Sequence, residues 1–531
     1  MSTTASHDDL AHGYDDEQQP LLLHSSADRG VKRASLAKVL PGLLIGVAVA
    51  AADNTITFAI VSTIGSEFGE LSRVSWVGTS YLIAVTIAQP CYGRFSVIFG
   101  PRISILISSI FYLVGCFWCS TARSMNELIA ARAMTGIGGG GLTSLTSIII
   151  SQLVSLRSRG TFQGAINLIF ATGSAMGSTI GGTFADSSLG WRFSFLWQPP
   201  LMIVACICTW VTLKDLPRPD EKETTKNRLL RVDYGGILCL IIATTSLLIG
   251  LDMAGNKSWQ DTKALVLIGV GLLFFVTFAV IELKFAKEPI APGAVVLART
   301  PLASYISNFF SFMGQFALLF YLPLYFQITG GESSTAAATH LLPLIVAGST
   351  GSLLGGLIMH KTAKYFWITI FAYLLSTLSL FFISTTWNAF TPLWISTLML
   401  ASEGLGNGIG VTSLLIAIIA SVGNENQAIG ISVSYLFRAL GTVIGIALAS
   451  AIVQADLRHY LSFALSGREA EEIAENVRKS LDFLEKLDPD IRDVVIFGYG
   501  KAMRLAFGFA AICMALALVS SFFMREHSLK T

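Results

Sequence analysis

Four ionisable residues stand well inside otherwise apolar stretches of this sequence: Asp53, Arg132, Glu403 and Arg438. A charge in such a stretch is costly to bury and usually faces a cavity, a partner charge or a proton path. A carboxylate in a partly dry cavity can load and release a proton, and Asp53 is the candidate for that chemistry. The opposing expectation for Asp53 is a structural ion pair with Arg132 or Arg438, the usual way to bury a charge. Glu403 precedes Gly404, Gly406, Gly408 and Gly410. It suits a proton or a cationic substrate, and its plainer role is an internally paired packing carboxylate. Arg132 and Arg438 suit the organisation of a charge network, although an arginine also holds a carboxylate through two parallel bonds. Asn54, Gln89, Asn308 and Gln315, with Asn167, Gln198 and Tyr321, are the polar side chains placed to line a cavity. Interhelical hydrogen bonding is the ordinary role of each. His340 is either a pH-sensitive group or a plain interfacial histidine.

These residues need elements to hold them, and composition says which kind. The chain has 531 residues, 53% hydrophobic and 13% charged, with a mean hydropathy of +0.64. Soluble domains carry about 25% charge, so soluble folds are excluded. The apolar runs are unbroken, which excludes the alternating pattern of a membrane β-barrel. The net charge of +2 leaves no nucleic-acid footprint. Fourteen stretches, from Val39–Phe58 to Ala502–Phe523, have the roughly 20-residue length of a membrane helix. With both termini in the cytosol, 21 of the 36 basic residues fall on cytosolic segments, as the positive-inside rule requires. The expected fold is an all-α membrane protein. Its expected parts are a disordered tail (1–36), six helices (37–213), a linker (214–232), two extra helices (233–284), six further helices (285–524) and a short tail (525–531). The lumenal loop 455–500 contains an amphipathic helical pattern around Ile473, Val477, Leu481 and Leu484. Cys116 and Cys119 form a C-x-x-C inside a span with no second ligand pair, so no metal is expected. The glycine run Gly138–Gly141 lies inside a span with no G-K-[ST] after it, so no nucleotide cofactor or enzyme activity is expected.

Several ordered motifs carry a family resemblance over about residues 37 to 525. Ala52-Asp53-Asn54-Thr55-Ile56 is similar to an L-D-x-T-I signature, and Arg132-Ala133-Met134-Thr135-Gly136-Ile137-Gly138 matches R-x-x-x-G-x-G. Gly173 to Gly182, with Gly177 and Gly181 between, resembles the antiporter motif; Gly190-Trp191-Arg192-Phe193-Ser194-Phe195 is similar to W-R-W-x-F. Ser434-Tyr435-Leu436-Phe437-Arg438-Ala439-Leu440-Gly441 resembles the matching stretch of the second half. The chain resembles a fungal fourteen-helix major facilitator superfamily transporter of the drug:proton antiporter type, in the branch of vacuolar basic amino acid transporters and multidrug-resistance proteins. That resemblance implies the major facilitator fold, two six-helix bundles plus two inserted helices. It implies a conformational loop at Gly93, Gly100 and Arg102, which in the family latches the cytosolic side through charge pairing. Here Val97 replaces the family's acid and Pro101 its first basic residue, which puts the latch in doubt. Ser178 stands where the antiporter motif commonly has proline.

The implied function is proton-coupled antiport of amino acids, basic ones above all, from cytosol into the vacuole. The partners are then a small-molecule substrate, protons and the lipid bilayer around a monomer. A plasma-membrane multidrug or siderophore exporter and a nutrient receptor without flux are the alternatives. Glu17, Leu21 and Leu22 fit the acidic dileucine pattern E-x-x-x-L-L, which a sorting adaptor reads and which favours the vacuolar membrane. Asn256-Lys257-Ser258 is the one N-x-S/T sequon in its loop, too short for glycosylation to be expected. If the dileucine sorts the protein, Leu21→Ala with Leu22→Ala moves a fluorescently tagged chain from the vacuolar membrane to the cell surface.

Overall fold

The computed structural model describes residues 36–70, 73–185, 187–215, 224–256, 259–286, 288–387, 391–464 and 488–529. Among them are fourteen long helices. We label them α1 (Leu36–Phe68), α2 (Ser75–Ile98), α3 (Pro101–Thr121), α4 (Met125–Leu153), α5 (Leu156–Ala185), α6 (Phe193–Thr212, interrupted at Trp197), α7 (Tyr234–Asn256), α8 (Thr262–Lys284), α9 (Arg299–Gly330), α10 (Leu342–Thr362), α11 (Phe366–Thr386), α12 (Leu393–Ser421), α13 (Gly423–Ala464) and α14 (Pro489–Ser521). Twelve are long and apolar enough to cross a membrane; α2 and α5 fall short. Both carry small and polar residues on the faces that pack against protein, which lowers their mean apolarity. Helix α2 packs on α4 and α13, and α5 packs on α1 and α10. Helix α8 is the opposite case. Leu265, Leu272, Leu273 and Val276 are all more than half exposed, an apolar face that only lipid would cover.

Helices α1–α6 pack among themselves, as do α9–α14, while the α7–α8 pair lies against α13 and α2. Helix α13 continues past the expected Val453 to Ala464, and α14 begins before the expected Ala502. No Gly or Pro interrupts the α13 extension, and α14 begins on Pro489, which suits a first helical turn, and runs on through Gly498 and Gly500. The amphipathic pattern around Ile473 to Leu484 and the dileucine lie outside the described residues.

Helices α1, α3, α5, α9, α11 and α13 run the same way, and their first residues define one end of the molecule, the base. There the two six-helix groups meet. A Cβ on Gly356 of α10 would lie 2.2 Å from the Gly160 carbonyl of α5, and one on Gly164 would lie 2.6 Å from Leu353 Cα. Only glycine permits backbones this close. Asn167 donates to Ser352 Oγ at 2.7 Å, and Arg157 Nε donates to the His360 carbonyl at 2.5 Å. Ser147 and Tyr435 hydroxyls are 2.8 Å apart, joining α4 to α13.

The loop after α2 closes the base in a way the motif did not foretell. Val97 packs against Tyr305, Ile418, Ile429 and Val433 of the second group. Arg94, one turn earlier, pairs with Glu288, whose other oxygen holds Arg231 Nε at 2.6 Å. An apolar contact therefore sits at the position of the missing acid, and a charge cluster stands beside it. The C-terminal tail is docked as well. Glu526 accepts hydrogen bonds from the Tyr365 and Phe366 backbone N–H groups at 3.0 Å each, an anion seated at the start of α11. Leu529 is buried.

A bulky residue at the closest crossing would wedge the base open. In a Gly356→Val protein, a cysteine placed at the buried Ser432 is expected to react faster with a water-soluble thiol reagent than it does in the Gly356 protein. Mass spectrometry of labelled Ser432→Cys protein reads that rate.

Candidate functional site

The first group of helices holds a fully buried ion pair. Asp53 on α1 and Arg132 on α4 are 0% and 1% exposed, and Arg132 Nη1 lies 2.6 Å from Asp53 Oδ2. Gln198 on α6 donates to the other carboxylate oxygen at 3.3 Å. The Tyr112 hydroxyl on α3 donates to Gln198 Oε1 at 2.7 Å. Four helices are thus tied through one carboxylate. The Arg132 guanidinium lies over the Tyr81 ring at 4.5 Å, a cation–π contact that adds attraction in a dry site. Glycine makes the approach possible. A Cβ on Gly136 would meet the Tyr81 carbonyl at 2.5 Å, and one on Gly138 the Tyr112 nitrogen at 2.4 Å. The R-x-x-x-G-x-G spacing therefore has a packing cause: the glycines bring α4 onto α2 and α3, and the arginine then reaches Asp53.

The second group is built differently. Glu403 on α12 is fully buried. Gln315 on α9, with its amide oriented to donate, reaches both Glu403 oxygens at 2.6 and 3.2 Å. Asn407, one turn along α12, lies 2.9 Å from the Gln315 amide. Among the described residues no Lys, Arg or His pairs with Glu403. Arg438 on α13 is 5% exposed. Its Nε donates to Asn308 Oδ1 at 3.0 Å and its Nη2 to the Val411 carbonyl at 3.2 Å. The rings of Phe312 and Tyr435 stand 5.3 and 5.2 Å from it. Val411 is eight residues beyond Glu403, about 12 Å along the helix. The buried acid and the buried base of this group therefore sit at different depths, each with neutral hydrogen-bond partners.

The other expected residues are scattered. Asn54 donates to the Ala50 carbonyl of its own helix at 3.4 Å, and Gln89 reaches Thr143 Oγ1 at 3.5 Å. Arg102 lies over Trp210 at 4.1 Å. Gly100 begins α3 at φ 87°, and Gly182 has nothing near its missing Cβ. Gly173, Gly177 and Gly181 face Ala48, Ala52 and Ile56 of α1. The Trp191-Arg192 pair of the W-R motif holds Glu67 at the end of α1, with Trp191 Nε1 at 2.5 Å and Arg192 Nη1 at 2.6 Å. Partial burial raises the Glu67 carboxyl, but Arg192 and Trp191 outweigh it and keep it below its ordinary value. His340 pairs with Glu332 at 3.0 Å. Tyr112, Asn407, Glu288 and Arg231 are contributors that the sequence reading did not single out. Of these, only Asn407 was within reach of spacing, four residues from Glu403.

A family model described as Major Facilitator Superfamily matches residues 43–446. Over 501 residues the chain is 38% identical to the vacuolar membrane amino acid uptake transporter fnx2 of Schizosaccharomyces pombe, covering 94% of this chain and 86% of that one. It is 35% identical over 520 residues to multidrug resistance protein fnx1 of the same yeast, covering 97% of each. It is 29% identical over 469 residues to vacuolar basic amino acid transporter 2 of Saccharomyces cerevisiae, covering 85% and 97%. Among solved structures, a proton:xylose symporter of this superfamily superposes with a TM-score of 0.56 at 16% identity, covering 93% of this chain and 97% of that one.

Removing one member of a buried pair strands the other. Asp53→Ala is expected to destabilise the chain by about 3–5 kcal/mol. An Asp53→Ala/Arg132→Met double substitution should cost less than the sum of the two single ones. Thermal unfolding of the purified protein in detergent measures both.

Proposed function

This chain belongs to the Major Facilitator Superfamily, and on that premise we propose that it exchanges protons for amino acids, basic ones above all, across the vacuolar membrane. One observation carries the reading: Glu403 is a fully buried carboxylate whose charge no cation among the described residues neutralises. Such a group is stable when it binds a proton or a ligand cation, and costly when empty and charged. That is the requirement for exchange. If Glu403 holds either a proton or a substrate ammonium, the two helix groups rearrange only when the site is loaded. Asp53 already has Arg132 as a permanent counter-ion, so the geometry favours Glu403 over Asp53 as the proton carrier. Asp53 then serves the shape of the first group. The amino acid substrate is supported by the likeness to the two vacuolar transporters, and the basic class by the acid at the site.

Orientation follows from charge. The base carries most of the Lys and Arg and faces the cytosol, with both termini on that side, so the closed base corresponds to a lumen-open state. In that state a substrate leaves Glu403 for the lumen and a lumenal proton replaces it. Transport by a monomer and delivery by an adaptor bound at Glu17, Leu21 and Leu22 complete the proposal. The likeness to a multidrug resistance protein gives the second reading, drug export on the same helices.

ATP-energised uptake of a labelled amino-acid panel into isolated vacuolar vesicles separates the two readings. Uptake of lysine, arginine or histidine that stops when the proton gradient is collapsed is the expected result. Uptake of none of the panel, with extrusion of a hydrophobic drug instead, would overturn it. Glu403→Gln is expected to abolish both uphill accumulation and substrate counterflow, since the amide can neither release a proton nor neutralise the substrate ammonium. Asp53→Asn, where it folds, keeps the coupling.

A further inference from the structure

A cavity lies at the other end of the molecule from the base, entirely within the α9–α14 group. It has a volume of about 480 Å³, inside the roughly 300–1,000 Å³ range of small-molecule sites. Three features of its wall are chemically specific. The first is Trp387, which lines the cavity, is 1% exposed and has no hydrogen-bond partner among the described residues for its indole Nε1–H. A buried donor without an acceptor is costly and calls for an explanation. The second is Glu332, a third exposed, whose two oxygens lie 3.2 and 3.0 Å from His340 Nε2. The third is an aromatic wall. Phe326 stacks on His340 with centroids 3.7 Å apart, and Tyr325 and Phe326 pack on the Trp387 ring at 5.6 and 5.5 Å.

Position adds to this chemistry. Ser396 of α12 also lines the cavity, seven residues before Glu403, which places the cavity about 10 Å along that helix from the buried carboxylate. The cavity therefore lies on the side of Glu403 from which, in a base-closed molecule, solutes arrive or depart. The Trp387 backbone is fixed by Arg504, whose Nη1 donates to its carbonyl at 3.1 Å, so the indole is held in place before any ligand enters.

We propose that this cavity is a second amino-acid site, in which Trp387 Nε1–H donates to the ligand carboxylate while Glu332 and the aromatic wall hold its ammonium end. An indole N–H is a donor only, so its natural partner is an anionic or carbonyl oxygen. A carboxylate beside aromatic faces is the complementary setting for a cation. One small molecule presenting both groups at opposite ends satisfies the orphan donor and the acid together, and an amino acid is such a molecule. The choice of amino acid rests on the transport reading above. The site gives the lumenal face a place to hold substrate while Glu403 carries a proton.

Equilibrium binding of radiolabelled lysine to the purified full-length chain in lipid nanodiscs tests this. The wild type is expected to bind two lysines per chain, Glu403→Gln one, and Trp387→Phe one. In the Glu403→Gln background, Glu332→Gln is expected to weaken the remaining site by about tenfold, as loss of a charged contact does. Melting curves establish that each variant is folded, and the partly exposed Glu332→Gln carries the test if Trp387→Phe is not. A single lysine per wild-type chain, lost in Glu403→Gln, overturns the second site and leaves the transport reading standing. Two lysines per chain in both Trp387→Phe and Glu332→Gln overturn it equally. No lysine binding by the wild type, together with no amino-acid uptake in vesicles, overturns the transport reading and this inference with it.

Discussion

The Asp53–Arg132 pair is where the packing of the first helix group converges. In a dry interior neither charge is tolerable alone, and together they are stable only at contact distance with their remaining hydrogen bonds satisfied. Satisfying them fixes the neighbours. Gln198 must come from α6, Tyr112 must hold Gln198 from α3, and the Tyr81 ring must stand against the guanidinium. The glycines of α4 are the complement of that demand, because a larger residue at Gly136 or Gly138 would hold α4 away from α2 and α3. Electrostatics and close packing here state the same constraint twice.

The second group repeats the glycine-rich approach without repeating the pair. Gly404 and Gly408 press α12 onto α10, and Gly406 presses it onto α11, so Glu403 is held as firmly as Asp53. Its partner, however, is an amide, and no described cation pairs with it. Two halves of one chain have thus put buried carboxylates to different uses. One is a fixed joint with its counter-ion built in. The other rests on neutral hydrogen bonds among the described residues.

The sequence made the main outline legible. Apolar length located the fourteen helices, and the scarcity of charge singled out four buried ionisable residues by type and surroundings. Even the exceptional character of α2 and α5 is written in their glycines, serines and amides. Pairing was legible only as alternatives: Arg132 and Arg438 both offered themselves to Asp53, and the sequence did not choose between them. Asp53 and Arg132 are 79 residues apart, and Tyr112 and Gln198 are 86 apart, so nothing local distinguishes a paired acid from an unpaired one. The same is true of Val97. As a departure from a motif it reads as a lost latch, and only the apolar cluster around Tyr305 and Val433 gives it a role. The continuation of α13 exceeded its apolar segment because no Gly or Pro stops it there, and α14 starts early because Pro489 suits a first helical turn.

Val97 has one more consequence. A closure made by opposite charges loosens as ionic strength rises, since salt screens exposed pairs. A closure made by a valine seated among isoleucine, valine and tyrosine has no such dependence. Its strength follows the hydrophobic effect instead, so it slackens in the cold and tightens on warming toward physiological temperature. At this contact the chain has exchanged a seal tuned by the surrounding salt for one tuned by temperature.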